Sequence, residues 1–374
     1  MRFTLSSNAL NNRLQTLSKV INSKNSLPIL DCFLFDIRNN ELNITASDSE
    51  NVMRTSVKLD ECDGECRFAV PNRTILDAVK ELPEQPLTFE VDTHNFTIKI
   101  QYQNGVYNFT AQNAAEYPNT QEIPDGATVI TINSTILNDN INRSLFATAQ
   151  DELRPVMNGV YFDLTAESLA IVASDGHKLV RNKNFSIKSD TPAAFILPKK
   201  PATLLRNVLG KGDSDAVIKF DNRNAEIHYE GGSLSCRLIE GRYPNYNSVI
   251  PMNNPNQLTV DRKGLLGALR RVLPFASESS QLIRFHLEAG KLELSSEDID
   301  FATSAKESIV CDYSGQTMNI GFKGSSLTEI LTNLDSNEIT IQLADPSRAG
   351  VIVPVTQPEN EDILMLIMPM LLND

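Results

Sequence analysis

Three stretches decide the fold: FDIRNNELNITASDSE (35–50), FDLTAESLAIVASDGH (162–177) and FHLEAGKLELSSEDID (285–300). Each alternates apolar and polar residues, breaks at a polar turn, alternates again and ends in a Ser and acidic cluster. That is the pattern of a β-hairpin. Phe35, Phe162 and Phe285 stand 127 and 123 residues apart, close to a third of the 374-residue chain. A repeat of that period makes the chain three tandem copies of one unit.

The surroundings of the hairpins repeat as well. A helical apolar spacing precedes each one, over residues 8–21, 133–149 and 262–273, with Leu10, Leu14 and Leu17 recurring in the first and Leu265, Leu266 and Leu269 in the third. A second helix is expected after each, over 71–82, 198–209 and 323–334, with Pro or Ser near its start. Alternating strands follow. The unit is helix plus strands, done twice, giving an α+β architecture with six helices and extensive antiparallel sheet. The polar, Pro-containing stretches QEIPDGATV (121–129) and PMNNPNQL (251–258) divide it into domains 1–124, 125–253 and 254–374.

Bulk properties exclude several classes. The N-terminus, MRFTLSSNALNNRLQ, lacks the basic and apolar segments of a secretory signal, and the longest apolar run, ILMLIMPMLL (363–372), is far short of a membrane span. A cytoplasmic protein with no membrane association is expected. The five cysteines are scattered, and Cys62 and Cys66 have no second Cys or His pair nearby, so no metal and no cofactor is expected. Four histidines (His94, His177, His228, His286) and no P-loop, zincin or nucleophile-elbow pattern leave no candidate catalytic residue.

A net charge of −13 argues against a surface that grips nucleic acid everywhere. The charge is unevenly placed, however. Residues 8–24 hold Arg13, Lys19 and Lys24 with no acid; 198–212 hold Lys199, Lys200, Arg206 and Lys211; 261–276 hold Arg262, Lys263, Arg270 and Arg271 against Asp261. The other three helix segments balance, one of them containing Arg73. Basic helices on an acidic sheet body either share a surface facing a polyanion or merely place Lys and Arg on solvated faces. They carry no interleaved aromatics, which argues against single-strand base stacking.

The stretch VASDGHKLV (172–180) looks most like chemistry, with Asp175 and His177 as an acid/base pair. Set against the other repeats, Asp175 stands with Asp48 and Glu297, and His177 with Glu50 and Asp298. An acid therefore recurs without a histidine, and Asp175 is expected to end a hairpin and satisfy nearby backbone N–H groups.

SLPIL (26–30), ASDGHKL (173–179), GRYPNY (241–246) and LIMPM (366–370), in that order within a triplicated α+β chain, resemble the β subunit of bacterial DNA polymerase III, the replicative sliding clamp. The resemblance runs from end to end. It implies a non-catalytic processivity subunit: a head-to-tail homodimeric ring of six domains, with helices facing a hole threaded by duplex DNA and antiparallel sheets outside. The alternative is an acidic triplicated scaffold or adhesion protein, indifferent to DNA topology.

By the resemblance, Lys24 and Gln150 match DNA-contacting positions, and Arg13, Arg73, Lys199, Lys200, Arg206, Arg270 and Arg271 join them as DNA-facing. Pro155 and Val156 stand where the family can carry aromatics. A pocket for a linear peptide from the polymerase, the clamp loader or repair proteins would be walled by Met157, Ser174, Gly176, His177, Lys178, Leu179, Pro244, Val249, Leu366, Met368, Pro369 and Met370. Methionine's flexible thioether suits a surface accepting several peptides. Ser248 stands where many relatives have Arg, and Leu371–Asp374 departs from the common Met-Arg-Leu ending, so acidic peptide residues gain less here. Tyr107 and Phe109, on an expected edge strand, would meet Pro274 and Phe275 across the subunit joint.

Overall fold

A computed structural model describes residues 1–119, 123–210 and 212–372. Gln121 and Glu122 of the first junction, Lys211, and Asn373 and Asp374 of the tail lie outside the described residues. The chain divides into two compact units, Met1–Asn138 with Lys200–Leu238, and Asp139–Lys199 with Ile239–Asp374.

Six α-helices occur among the described residues: α1 (Ser7–Ser18), α2 (Asn72–Val79), α3 (Ser134–Leu145), α4 (Lys199–Val208), α5 (Arg262–Val272) and α6 (Gly324–Thr332). Each falls inside its expected segment or within a residue of it and ends earlier. In α1 the Ser6 hydroxyl caps the first turn by accepting from the Ala9 N–H, and Leu10, Leu14 and Leu17 are buried. Val20 extends the apolar pattern but not the helix: its N–H bonds to Leu17 C=O, a tighter turn that closes the end. Ala147, bonded to Ser144 C=O, ends α3 in the same way. In α5 Asp261 plays the part of Ser6, accepting from the Gly264 N–H.

Among the described residues the strands form four sheets in which every pairing is antiparallel. One has five strands, ordered Glu61–Cys62, Arg2–Ser6, Pro86–Val91, Thr97–Tyr102 and Gly105–Thr110. One has four, ordered Thr303–Val310, Lys291–Asp298, Leu282–Glu288 and Met318–Lys323. The other two have nine strands each, because a strand of one repeat pairs with a strand of the next. Asn51–Lys58, the strand that follows the first hairpin, pairs with Gly232–Arg237. Lys178–Asn184, its counterpart in the second repeat, pairs with Glu361–Ile367.

In the second unit, Leu258, Leu265, Leu269, Phe285, Phe322 and Ile341 belong to one buried cluster. Each such side chain contributes about 1.5–3 kcal/mol by leaving water.

The hairpins settle the residue equivalences. Phe35 pairs with Ile44, Phe162 with Ile171 and Phe285 with Leu294, so no gap separates the repeats up to the hairpin end. Asp175 therefore corresponds to Asp48 and Asp298, not to Glu297, and His177 corresponds to Asp300. The hydrogen bonds agree. Asp48 Oδ1 accepts from the N–H groups of Glu50 and Asn51, Asp175 Oδ1 from those of His177 and Lys178, and Asp298 Oδ1 from those of Asp300 and Phe301. Each carboxylate satisfies the turn that follows its strand.

The tail Met368–Met370 leaves the strand Glu361–Ile367 and makes one bridge to Gly321, with the Met370 N–H 2.8 Å from Gly321 C=O. A Cβ at Gly321 would meet Leu282 Cδ1 and Leu372 Cδ2 at 2.8 Å and Met370 C=O at 2.9 Å. Gly321→Ala should therefore lower unfolding stability by about 1–3 kcal/mol in denaturant titration. Gly210→Ala, where nothing lies within 4 Å, should stay within about 0.5 kcal/mol.

Candidate functional site

The segment after Leu169–Ser174 is a rigid turn. Gly176 adopts φ +91°, and the Asp175 carboxylate holds the His177 and Lys178 N–H groups at 2.9 Å each. Asp175 Oδ2 takes the Lys178 ammonium at 2.8 Å, and that ammonium also lies 3.1 Å from Glu329 on α6. The Ser174 hydroxyl donates to Lys178 C=O. Asp175 is thus occupied by backbone and lysine, and His177 is exposed, so the two do not form an acid/base pair. Burial would raise the Asp175 carboxyl, but the Lys178 ammonium and the two backbone N–H groups outweigh it and hold it below the usual carboxylate range. Burial would likewise lower Lys178, and Asp175 and Glu329 hold it above the ordinary lysine value.

Of the residues expected to wall a pocket, Met157, Ser174, Lys178, Leu179 and Leu366 are buried, whereas Gly176, His177, Pro244, Val249 and Met368 are exposed. The Met368 N–H bonds to His177 C=O at 2.8 Å, which draws the tail and the Gly-His turn together. Val249 and Met368 share a cleft of about 540 Å³ with Ser248, Ile250, Pro251, Met252, Asn253, Ser347, Arg348 and Ala349. Beneath it Leu179, Tyr243, Tyr246, Ala349, Val351 and Leu366 form one buried cluster. Tyr161 stacks on Tyr243 with centroids 4.5 Å apart, and Tyr246 donates to Asp163 at 2.8 Å. Tyr243 and Tyr246 lie within the GRYPNY motif, where no role attached to them from sequence; Tyr161 and Arg348, the latter in ADPSRAGVIV, carried no signal.

Among the expected DNA-facing residues, Arg13, Lys24, Arg73, Gln150, Arg206 and Arg270 are exposed. Lys200 differs. Its ammonium donates to Val20 C=O at 2.7 Å, Asn22 Oδ1 at 2.6 Å and Asp48 Oδ2 at 2.5 Å, so all three N–H groups are taken inside the protein. Lys200 anchors the segment leading to Lys24 and leaves no donor for a phosphate. Arg271 is exposed but forks onto Glu307, at 2.9 and 2.5 Å.

Tyr107 and Phe109, both half-buried, lie on Gly105–Thr110, which is the open edge of the five-stranded sheet. Pro274 and Phe275 are exposed on a short turn after α5. The open edge of the four-stranded sheet, Thr303–Val310, was not anticipated, and Ile299, Phe301 and Val310 in and beside it are 85%, 79% and 89% exposed.

Family descriptions match nearly the whole chain: DNA polymerase III beta subunit, N-terminal domain over residues 1–121, central domain over 131–245 and C-terminal domain over 247–371. The chain belongs to the DNA polymerase III beta subunit family. Among other members of the family, the beta sliding clamp of Pseudomonas putida is 26% identical over 374 residues, covering 99% of this chain and 100% of its own. That of Bacillus subtilis is 25% identical over 381 residues, covering 99% of each. The Pseudomonas aeruginosa sliding clamp bound to griselimycin superposes with a TM-score of 0.94 at 24% identity, and the Thermotoga maritima beta subunit with 0.89 at 26%, each over 100% of both chains. The beta subunit fold is therefore this chain's fold, and a scaffold indifferent to DNA finds no support among these relatives. No helix is long and apolar enough to cross a membrane.

Asp48 and Asp175 both titrate below the ordinary 3.8 in the folded protein. Their stabilisation is therefore present above the unfolded value and disappears as pH falls through the depressed folded values. Lys178, held above 10.5, contributes below that value and loses its contribution as pH rises through the folded one. Asp175→Asn should reduce the unfolding free energy at about pH 7 by about 1–3 kcal/mol and flatten the acid limb of a urea-stability profile against pH.

Proposed function

We propose that this chain is a DNA sliding clamp, a non-catalytic processivity subunit that closes as a head-to-tail homodimer around duplex DNA and tethers a replicative polymerase, a clamp loader and repair proteins through a linear peptide. The observation that carries this reading is the count of strands. Two sheets reach nine strands by joining consecutive repeats, while the remaining two stop at five and four with facing kinds of edge left open. Joining Gly105–Thr110 of one copy to Thr303–Val310 of another makes a third nine-stranded sheet and leaves neither edge exposed. Tyr107, Phe109, Pro274 and Phe275 belong to that joint.

Arg13, Lys24, Gln150, Lys199, Arg206 and Arg270 face the DNA. A linked ring needs only weak, sequence-blind attraction to phosphate, and a basic face on an acidic body supplies it. The peptide lies across the cleft of Val249 and Met368 and the Gly176–His177 turn. Domain limits of 1–124, 125–253 and 254–374 and a cytoplasmic location go with this function.

Loaded on nicked circular DNA by a cognate loader, the protein should resist high salt and fall off once the circle is cut. Retention on linear DNA, or loss from the intact circle on adding salt, would sink the ring. Truncation after Ile367 should abolish binding of a polymerase-derived peptide, read by fluorescence anisotropy, with the dimer unchanged by sedimentation. Undiminished binding would place the peptide elsewhere.

A further inference from the structure

Strand registers relate the repeats without reference to sequence similarity. Cys32, Gly159 and Leu282, each three residues before its hairpin phenylalanine, pair with Pro71, Pro198 and Lys323. Two residues further on, Arg73, Lys200 and Ser325 are equivalent positions at the starts of α2, α4 and α6. Asp48, Asp175 and Asp298 are equivalent at the hairpin ends. Where the first repeat joins the second, the equivalent side chains meet: Lys200 donates to Asp48 at 2.5 Å. Where the second joins the third, Ser325 replaces the lysine, and the ionic link is supplied by Lys178 between Asp175 and Glu329. At both joins within the chain the hairpin-end aspartate therefore holds a lysine that also reaches across the join, directly from the following repeat's second helix at the first and onward to that helix's Glu329 at the second.

The third join has no following repeat in the chain. Asp298 is only 9% exposed and its Oδ1 caps its turn, yet among the described residues no cation reaches it. Arg73 is exposed and has no ion pair among the described residues. A buried carboxylate without a cation is unfavourable, and a free arginine stands at the position of Lys200.

We propose that Asp298 of one copy and Arg73 of the partner subunit form an ion pair across the ring joint. This rests on the ring reading above. The surroundings are prepared for it. The N-caps Ser6 and Asp261 align α1 with α5, which puts Phe275 and Ser277 where Val20 and Asn22 accept from Lys200. The strand register is set by the same logic. Val52 pairs with Ser235 at the first join; Ser47 pairs with Val52 and Glu297 with Ser304, and Tyr229 pairs with Gly232 and Tyr102 with Gly105. Ser304 accordingly lies opposite Asn108 of the partner subunit, and Ala305 opposite the partner's Tyr107. Arg73 passes from the DNA-facing set to the joint.

The test is the dimer dissociation constant of the full chain, by sedimentation over a concentration series, for R73A, D298N, R73A/D298N, R73E and R73E/D298N. D298N keeps the Oδ1 cap, and Arg73 is exposed with no ion pair among the described residues, so the fold is retained, as circular dichroism will verify. Each single neutral change should weaken the dimer about tenfold or more, with the double no worse than the worse single. R73E should weaken it most, and adding D298N should recover part of the loss. A dimeric wild type with unaffected or strictly additive variants overturns the pair and leaves the ring standing. A wild type that is monomeric at every concentration overturns both.

Discussion

The constraint on which the structure depends is the pairing of strand edges. The last strand of each hairpin unit presents a row of backbone N–H and C=O groups that cannot be left open without inviting uncontrolled association. In this chain the strand after the first hairpin is covered by repeat two, and the strand after the second by repeat three. Helices, turns and charges are arranged around those joins. The aspartate at each hairpin end fixes the turn that delivers the joining strand, and at the two joins within the chain a lysine fixes the aspartate.

The periodic features were legible in the residues. Leucines at helical spacing and Pro or Ser at helix starts, repeated in the same order three times, located the six helices, and alternation located the hairpins, because these signals are local. The helices came out too long because Val20 and Ala147 look the same in sequence whether they extend a helix or pack beneath its end. The slip that matched Asp175 to Glu297 has a related origin. Glu297 and Asp298 are adjacent acids, and the pairing of Phe285 with Leu294, with the Asp298 bonds to the turn N–H groups, says which one faces the turn.

Side-chain commitments were less legible. Lys200 reads as one more positive charge on a basic helix, and nothing nearby in the chain announces Val20, Asn22 and Asp48 as its acceptors. The open strand Thr303–Val310 alternates like any covered strand, so its exposure emerges only when its sheet is found to stop at four. The pocket lip was legible as a turn because Asp, Gly and a following amide are neighbours in sequence. Arg348 enters the cleft from a distant loop and left no trace.

The bridge of Met370 to Gly321 has a consequence for valence. It covers the other border of the four-stranded sheet, opposite Thr303–Val310. That sheet then offers a single open border, and it differs from the border offered by Gly105–Thr110. Two borders of unlike kinds join copies head to tail, and such a polymer either closes on itself or grows into a filament. By pairing at the spare border of this sheet, the C-terminal tail leaves Thr303–Val310 as the edge it offers to a second copy.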